Sequence, residues 1–115
     1  VKLRYGDALR LVYDNASFDK AYSIHSIYFW RKPAAALKEI HRVLKPGGFL
    51  VMTILPKEKW NSVDPGKYIG MADCTPYSGE ELRTMMLKAG FSSTSIEIDT
   101  SDKSSASNYS VIGIK

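Results

Sequence analysis

The sequence has very little cysteine and no long hydrophobic segment. Its single cysteine, Cys74, excludes an internal disulfide framework and predicts a protein of the reducing cytoplasm. A membrane-spanning helix needs about 20 consecutive apolar residues, whereas the longest largely apolar stretch runs only from Phe49 to Leu55. A composition with 44% hydrophobic and 24% charged residues is typical of a globular domain. The sequence therefore predicts no membrane partner.

Glycine-rich turns and concentrated charge are also missing. None of the eight glycines forms a G-x-G pair, so the turn that cradles nucleotide phosphates in many α/β proteins is not encoded in these residues. The net charge is +4, but the basic residues are scattered and form no patch, which does not favour nucleic-acid binding. Cys74 has no His or Cys partner at metal-ligand spacing. We predict neither a nucleic-acid partner nor a metal site.

A helix, a tight turn and a strand are predicted in the middle of the chain. The apolar positions of the helix Pro33–Leu44 follow the 3.6-residue period, at Leu37, Ile40 and Leu44. Pro46 cannot continue this helix, and Gly47 can take the positive φ that a type II turn requires. The apolar run Phe49–Leu55 then predicts a strand covered by helices on both faces. This succession is typical of a parallel α/β sheet.

The rest of the chain fits one domain, with no internal repeat and no linker. Further strands are predicted at Val1–Tyr5, Phe18–Ile24, Thr94–Asp99 and Tyr109–Ile114. A helix is predicted at Ser78–Ala89, because Ser78 and Glu81 form a capping box and Gly90 is suited to end it. Residues 56–77 form a long loop that contains the aromatic residues Trp60, Tyr68 and Tyr77. Loops of this length are usually functional, and these aromatic groups predict a lid over a substrate.

Three motifs occur in a characteristic order. They are Gly6-Asp7-Ala8, then Phe18-Asp19, then the stretch from Glu39 to Gly48, which reads Glu-Ile-His-Arg-Val-Leu-Lys-Pro-Gly-Gly. In order and spacing the chain resembles the class I S-adenosylmethionine-dependent methyltransferases. The resemblance is strongest to the type 11 branch, which includes the ubiquinone and menaquinone biosynthesis methyltransferases. It covers residues 3 to 55 best.

The resemblance implies a fold and a domain boundary. The expected fold class is α/β, a partial Rossmann-like sheet of the family's strands 3, 4, 5, 6 and 7, with strand 7 antiparallel and helices on its sides. The family's sheet order predicts the arrangement 4-5-7-6. Residues 1–115 are then a single partial domain, the C-terminal portion, without the glycine-rich cofactor loop. The edge of strand Phe18–Ile24 would lack its usual neighbour, which predicts self-association through that edge.

The resemblance also implies an activity and a set of site residues. The parent domain would transfer a methyl group from S-adenosylmethionine to an unidentified small-molecule acceptor, and this chain alone is expected to be inactive. Asp7 and Ala8 match the positions that contact the adenine, although Gly-Asp-Ala is also an ordinary strand-ending turn. Ile24 and His25 follow a strand at the edge where parallel sheets bind ligands, and both are predicted to contact the cofactor.

His25 is the predicted catalytic residue, because an imidazole can act as a base near neutral pH. The alternative is that it is a surface or hydrogen-bonded structural histidine. His41 is expected to be solvated on the polar side of its helix. Tyr28, Phe29 and Trp30 could line a substrate pocket or cage the sulfonium cation, or they could pack in the core.

Two other functions remain open from the sequence. A non-catalytic methyltransferase-like module that binds a partner through the open sheet edge would need no cofactor loop. A nucleotide-dependent oxidoreductase of the doubly wound type would lack its glycine fingerprint equally, and no motif supports it.

Overall fold

The computed structural model describes residues 9, 11–62, 74–98 and 108–115, with the side chains of residues 60–62 left aside. The predicted strand Val1–Tyr5 and the middle of the predicted lid lie outside these residues. The described elements, in chain order, are strand β1 (Phe18–Ile24), helix α1 (Pro33–Val43), strand β2 (Leu44–Ile54), helix α2 (Gly79–Ala89), strand β3 (Ser93–Ile98) and strand β4 (Tyr109–Ile114). Two 3₁₀ turns lie at Ile27–Phe29 and Lys57–Ser62. Neither of the two described α-helices is long and apolar enough to cross a membrane.

The four described strands form one mixed sheet. Its order is β1-β2-β4-β3, with β1 parallel to β2 and β4 antiparallel to both of its neighbours. The four strands lie in the order and directions that the sequence analysis predicts for them, and the α/β fold class is confirmed. Helix α1 is the crossover that joins the parallel pair, as the sequence predicts.

The Pro-Gly-Gly turn sets how β2 enters the sheet. The pairing of β1 with β2 jumps from Phe18 opposite Leu44 to Lys20 opposite Phe49, so the intervening residues loop out. Gly47 has a φ of +83°, the left-handed conformation that the sequence predicts for it. Gly48 is needed for space, because a Cβ there would lie 2.7 Å from the carbonyl oxygen of Asp19.

Helix α2 is bounded as its sequence predicts. The Ser78 hydroxyl accepts a hydrogen bond of 3.1 Å from the backbone N–H of Glu81. Gly90 has a φ of +112°, and the N–H groups of Gly90 and Phe91 donate to the carbonyls of Leu87 and Met86. This pair of bonds is the Schellman motif.

The core lies between the two helices and one face of the sheet. It contains Leu37 of α1, Leu82 and Met86 of α2, and sheet residues that include Leu50, Met52, Ile54 and Val111, all with at most 1% exposure. On the opposite face Tyr22 and Ile24 are each 66% exposed and Ile114 is 43% exposed. The prediction that Phe49–Leu55 is covered by helices on both faces is therefore wrong within the described residues, because α1 and α2 share one core on the same face.

Candidate functional site

The carboxyl ends of the two parallel strands meet at one edge of the sheet. Ile24, the last residue of β1, lies opposite Thr53 of β2. The next residue, His25, donates its backbone N–H to the Thr53 carbonyl at 2.9 Å and then turns with a φ of +51°. A positive φ is uncommon for a residue other than glycine, and such residues are enriched at functional sites. The Ser26 hydroxyl supports the turn by donating to the Ile24 carbonyl at 3.1 Å.

A buried tyrosine fixes the imidazole of His25. The 3₁₀ turn Ile27–Phe29 directs Tyr28 into the core, where it is 7% exposed, and leaves Phe29 63% exposed. The Tyr28 hydroxyl accepts a hydrogen bond from the N–H of Leu55, the residue after β2, at 2.5 Å. The same hydroxyl lies 2.9 Å from Nδ1 of His25. The ends of β1 and β2 are thus joined by one phenol oxygen.

Both groups at this junction favour their neutral forms. His25 is exposed as a residue, but its Nδ1 side faces the buried phenol, and this desolvation lowers the pKa of the imidazole. Burial raises the pKa of the Tyr28 phenol, an effect that the Leu55 N–H opposes and the nearby Cys74 thiol reinforces. At neutral pH the site therefore offers an uncharged imidazole on an exposed residue.

A second polar cluster ties the segment before β1 to helix α1. The Arg42 guanidinium makes two hydrogen bonds to the Glu39 carboxylate, through Nε at 3.1 Å and Nη2 at 2.5 Å. It also donates to the carbonyls of Leu11 and Tyr13 and to the Asn15 side chain. The bond from Arg42 lowers the pKa of Glu39, whose carboxylate also accepts from the Leu11 N–H at 3.0 Å. We call these two residues the Arg42–Glu39 clamp.

The chain resembles known methyltransferases in sequence and in structure. A family model described as a methyltransferase domain matches residues 1–52. The O-methyltransferase cnsE of Penicillium expansum is 31% identical over 93 residues, which are 79% of this chain and 34% of that protein. A crystal structure of a SAM-dependent methyltransferase from Thermotoga maritima, described as a possible histamine N-methyltransferase, has a TM-score of 0.79 and 26% identity, covering 96% of this chain and 62% of that one. The family model and these relatives support the resemblance to the type 11 branch of the class I methyltransferases.

The match is partial in length. The demethylmenaquinone methyltransferase of Staphylococcus epidermidis is 43% identical over 51 residues, which are 44% of this chain and 21% of that protein. The chain likewise spans about a third of the O-methyltransferase cnsE. The similarity therefore covers only part of the relatives' length.

Two of the four predicted site residues can be placed in this methyltransferase fold. Asp7 and Ala8 lie outside the described residues. Ile24 and His25 lie together at the carboxyl edge of the parallel pair, as the sequence predicts, with the Ile24 side chain on the uncovered face. The hydrogen bond between Tyr28 and His25 was not predicted from the sequence. The signal that could have indicated it is their spacing of three residues, which lies within a single turn.

S-adenosylmethionine is the cofactor that the resemblance implies. That molecule carries a flat adenine ring and a charged amino-acid end, so a site for it needs apolar surface beside hydrogen-bonding groups. The described edge has groups of both kinds, since Ile24 and Phe29 are 66% and 63% exposed and His25 is an exposed residue. Within the described segments, no group of three or more His, Cys, Asp or Glu residues could hold a metal ion.

The other histidine differs from its sequence prediction, and two of the aromatic residues lie in the core. His41 is half-buried, and its ring meets that of Phe91 edge to face with centroids 5.0 Å apart. It fits there because Gly90 has no side chain, since a Cβ at Gly90 would lie 3.2 Å from Nε2 of His41. Burial and the Lys115 charge lower its pKa. Tyr28 and Tyr77 both belong to the core, so packing is the outcome for Tyr28. The lid over a substrate stays a prediction.

Proposed function

We propose that this chain forms part of a domain that transfers a methyl group from S-adenosylmethionine to a small-molecule acceptor. The observation that carries the proposal is the His25 turn, which lies at the carboxyl edge of the parallel strands in a methyltransferase fold. The O-methyltransferase and N-methyltransferase names of its relatives support the reaction class. The single cysteine agrees with a cytoplasmic location for this reaction.

Each site residue has a proposed role. Asp7 and Ala8 contact the adenine through a carboxylate and a backbone N–H. Ile24 offers backbone and apolar contact to the cofactor. His25 faces both the cofactor and the acceptor, and its neutral imidazole serves the acceptor as a base or as a hydrogen-bond donor, depending on which nitrogen carries the proton.

The chemistry asks the protein mainly for positioning. When bound, S-adenosylmethionine supplies a methyl carbon that is already activated by the sulfonium charge. The residues at the edge then have to orient the acceptor and exclude water, and no catalytic pair is needed for that. No G-x-G turn is present in these 115 residues. We therefore propose that the isolated chain is inactive, and that its activity depends on a glycine-rich loop supplied by another segment.

An amide-resolved NMR titration of this chain with S-adenosylmethionine tests the proposal. We expect saturable shifts at Asp7, Ala8, Ile24 and His25, weakened in a His25→Ala variant. His41→Ala is the matched control, because the His41 ring extends from α1 to Phe91 and Gly90 at the end of α2. Its replacement should leave the titration unchanged. If millimolar cofactor moved none of the four amides, cofactor binding by this edge in the isolated chain would be disproved.

The uncovered sheet face favours a second candidate, a non-catalytic interaction module. Tyr22 and Ile24 of β1 are each 66% exposed, and Ile114 on the same face is 43% exposed. Contiguous apolar surface of this kind marks interaction sites in many proteins. This module would show no response to S-adenosylmethionine in the same titration.

A further inference from the structure

The hydrogen bond between Tyr28 and His25 can carry its hydrogen in two ways. Either the phenol O–H donates to Nδ1 of His25, or Nδ1–H donates to the phenol oxygen. In a neutral imidazole this choice also decides the other nitrogen. With Nδ1 as acceptor, Nε2 carries a hydrogen and is a donor; with Nδ1–H, Nε2 has a free lone pair and can accept a proton.

Two arguments favour donation from the phenol. The phenol oxygen already accepts the N–H of Leu55 at 2.5 Å, so a donor from His25 would place a second N–H on the same oxygen. A phenol is also a stronger acid than a neutral imidazole N–H, and an imidazole nitrogen is a stronger base than a phenol oxygen. The stronger donor therefore meets the stronger acceptor when Tyr28 donates.

The surroundings hold the ring in this arrangement. Tyr28 is 7% exposed, so the packing around its ring holds the phenol in place. Its backbone is held as well, because its carbonyl accepts a hydrogen bond from the Thr75 N–H at 3.0 Å. His25 is fixed at its own N–H by Thr53. Because Nδ1 bonds the buried phenol and His25 as a residue is exposed, we infer that Nε2 lies on the outer side of the ring.

We propose that Tyr28 is a positioning residue that holds His25 as the Nε2–H tautomer, so that Nε2–H donates to an oxygen of the methyl acceptor. A donor at this position cannot remove a proton. It therefore suits an acceptor molecule that carries an ionised oxygen, a carboxylate or an acidic phenol, next to the atom that is methylated. The choice of acceptor rests on the proposed function, whereas the tautomer does not.

Long-range ¹H–¹⁵N spectra of the imidazoles in this 115-residue chain test the tautomer with no cofactor or acceptor present. In the wild-type chain at pH 7.5 we expect Nε2 of His25 protonated and Nδ1 unprotonated. In Tyr28→Phe we expect the pKa of His25 to rise, because the lost bond stabilised the neutral imidazole. Donation from Nδ1–H would instead favour the imidazolium, so its loss would lower that pKa.

Tyr22→Phe is the matched control, because it removes an exposed hydroxyl and should leave the pKa of His25 unchanged. A protonated Nδ1 in the wild-type chain, or a fall in the pKa in Tyr28→Phe, would overturn the proposal. The wild-type spectrum decides the matter if Tyr28→Phe does not fold. Because no methyl transfer is measured, failure here leaves the proposed function standing.

The acceptor chemistry is tested with benzoate as an anionic probe and benzyl alcohol as its neutral counterpart. We expect benzoate to shift the Nε2–H signal of His25 saturably, benzyl alcohol to shift it at least tenfold less at equal concentration, and neither to shift His41. Equal responses to both probes, or no response to benzoate, would disprove recognition of an ionised oxygen by His25.

Discussion

At the scale of single residues, both histidines have a lowered pKa, but their surroundings lower it in different ways. His25 loses hydration on the side that faces Tyr28, and His41 loses it against Phe91 and beside the Lys115 charge. In both residues the folded-state pKa is below the ordinary value of 6.5. The unfolded chain therefore binds more protons than the folded chain between these lowered values and pH 6.5.

This difference predicts a loss of stability in mild acid. The free energy of unfolding should not depend on these histidines above about pH 7, and should fall as the pH drops below 6.5 through their folded-state pKa values. Urea unfolding at pH 7.5, 6.5 and 5.5 measures the change. A His25→Asn, His41→Asn double variant should lose most of the dependence in this window. A wild-type stability that rose between pH 7.5 and 5.5 would contradict the argument.

The adjacent glycines of the turn predict two different costs. At Gly47 a Cβ would meet nothing within 4 Å, so Gly47→Ala suffers only the strain of its positive φ, about 1 kcal/mol. At Gly48 a Cβ would lie 2.7 Å from the Asp19 oxygen and 2.9 Å from that of Lys45, both backbone atoms, so Gly48→Ala should cost about 2–3 kcal/mol. Chemical denaturation of both variants compares the costs, and an equal or reversed order would refute the packing explanation.

At the scale of elements, α1 connects the parallel strands and also holds the segment before β1. The carbonyls of Arg42 and Val43, near the end of this helix, accept the N–H groups of Ala16 and Ser17 at 3.0 and 2.7 Å. The Arg42–Glu39 clamp adds side-chain bonds to Leu11, Tyr13 and Asn15. The helix therefore fixes the approach of the chain to β1.

Arg42→Lys should loosen that approach without removing a positive charge. A lysine cannot make the forked set of bonds that the guanidinium makes, so we expect faster amide hydrogen exchange at Leu11, Ala16 and Ser17. Arg83→Lys is the control, because Arg83 lies on α2 and bonds Glu80 and Thr94 instead of the segment before β1. Unchanged exchange at the three amides in Arg42→Lys would show that the backbone bonds alone hold the segment.

The elements were predictable from sequence because their signals are local. The capping box at Ser78 and the glycines at positions 47 and 90 each depend on a few neighbouring residues. The contact between His25 and Tyr28 was not predicted, because it depends on a 3₁₀ turn that reverses the direction of one aromatic side chain. The burial of His41 depends on Gly90, which is distant in sequence.

At the scale of the whole molecule, the two faces of the sheet differ in burial. One face shares a core with both helices, and the other leaves Tyr22, Ile24 and Ile114 exposed. The apolar run in β2 correctly predicted a buried strand but could not show which face would be covered, since that depends on where other segments lie. Coverage of a sheet is a property of the assembled chain.

The uncovered face predicts concentration-dependent self-association of this chain, as does the edge of β1 that no other described strand pairs with. Tyr22→Lys should reduce it, because a lysine on a strand of this kind disfavours further pairing and stacking. Leu87→Lys is the control, since Leu87 is 49% exposed but lies on α2. Sedimentation velocity over a tenfold concentration range measures the effect. Equal behaviour of the two variants would show that the sheet face is not the contact.

The position of β4 has a consequence for the order of folding. β4 pairs with β2 on one side and with β3 on the other, so within the described residues β3 reaches the sheet only through a strand that follows it in the chain. During synthesis the pair β1–β2 can form across a single helix, but the second half of the sheet has to wait until Tyr109–Ile114 has been made. Until then the β4-facing edge of β2 stays open, and a nascent chain is most vulnerable to wrong strand pairing at that stage.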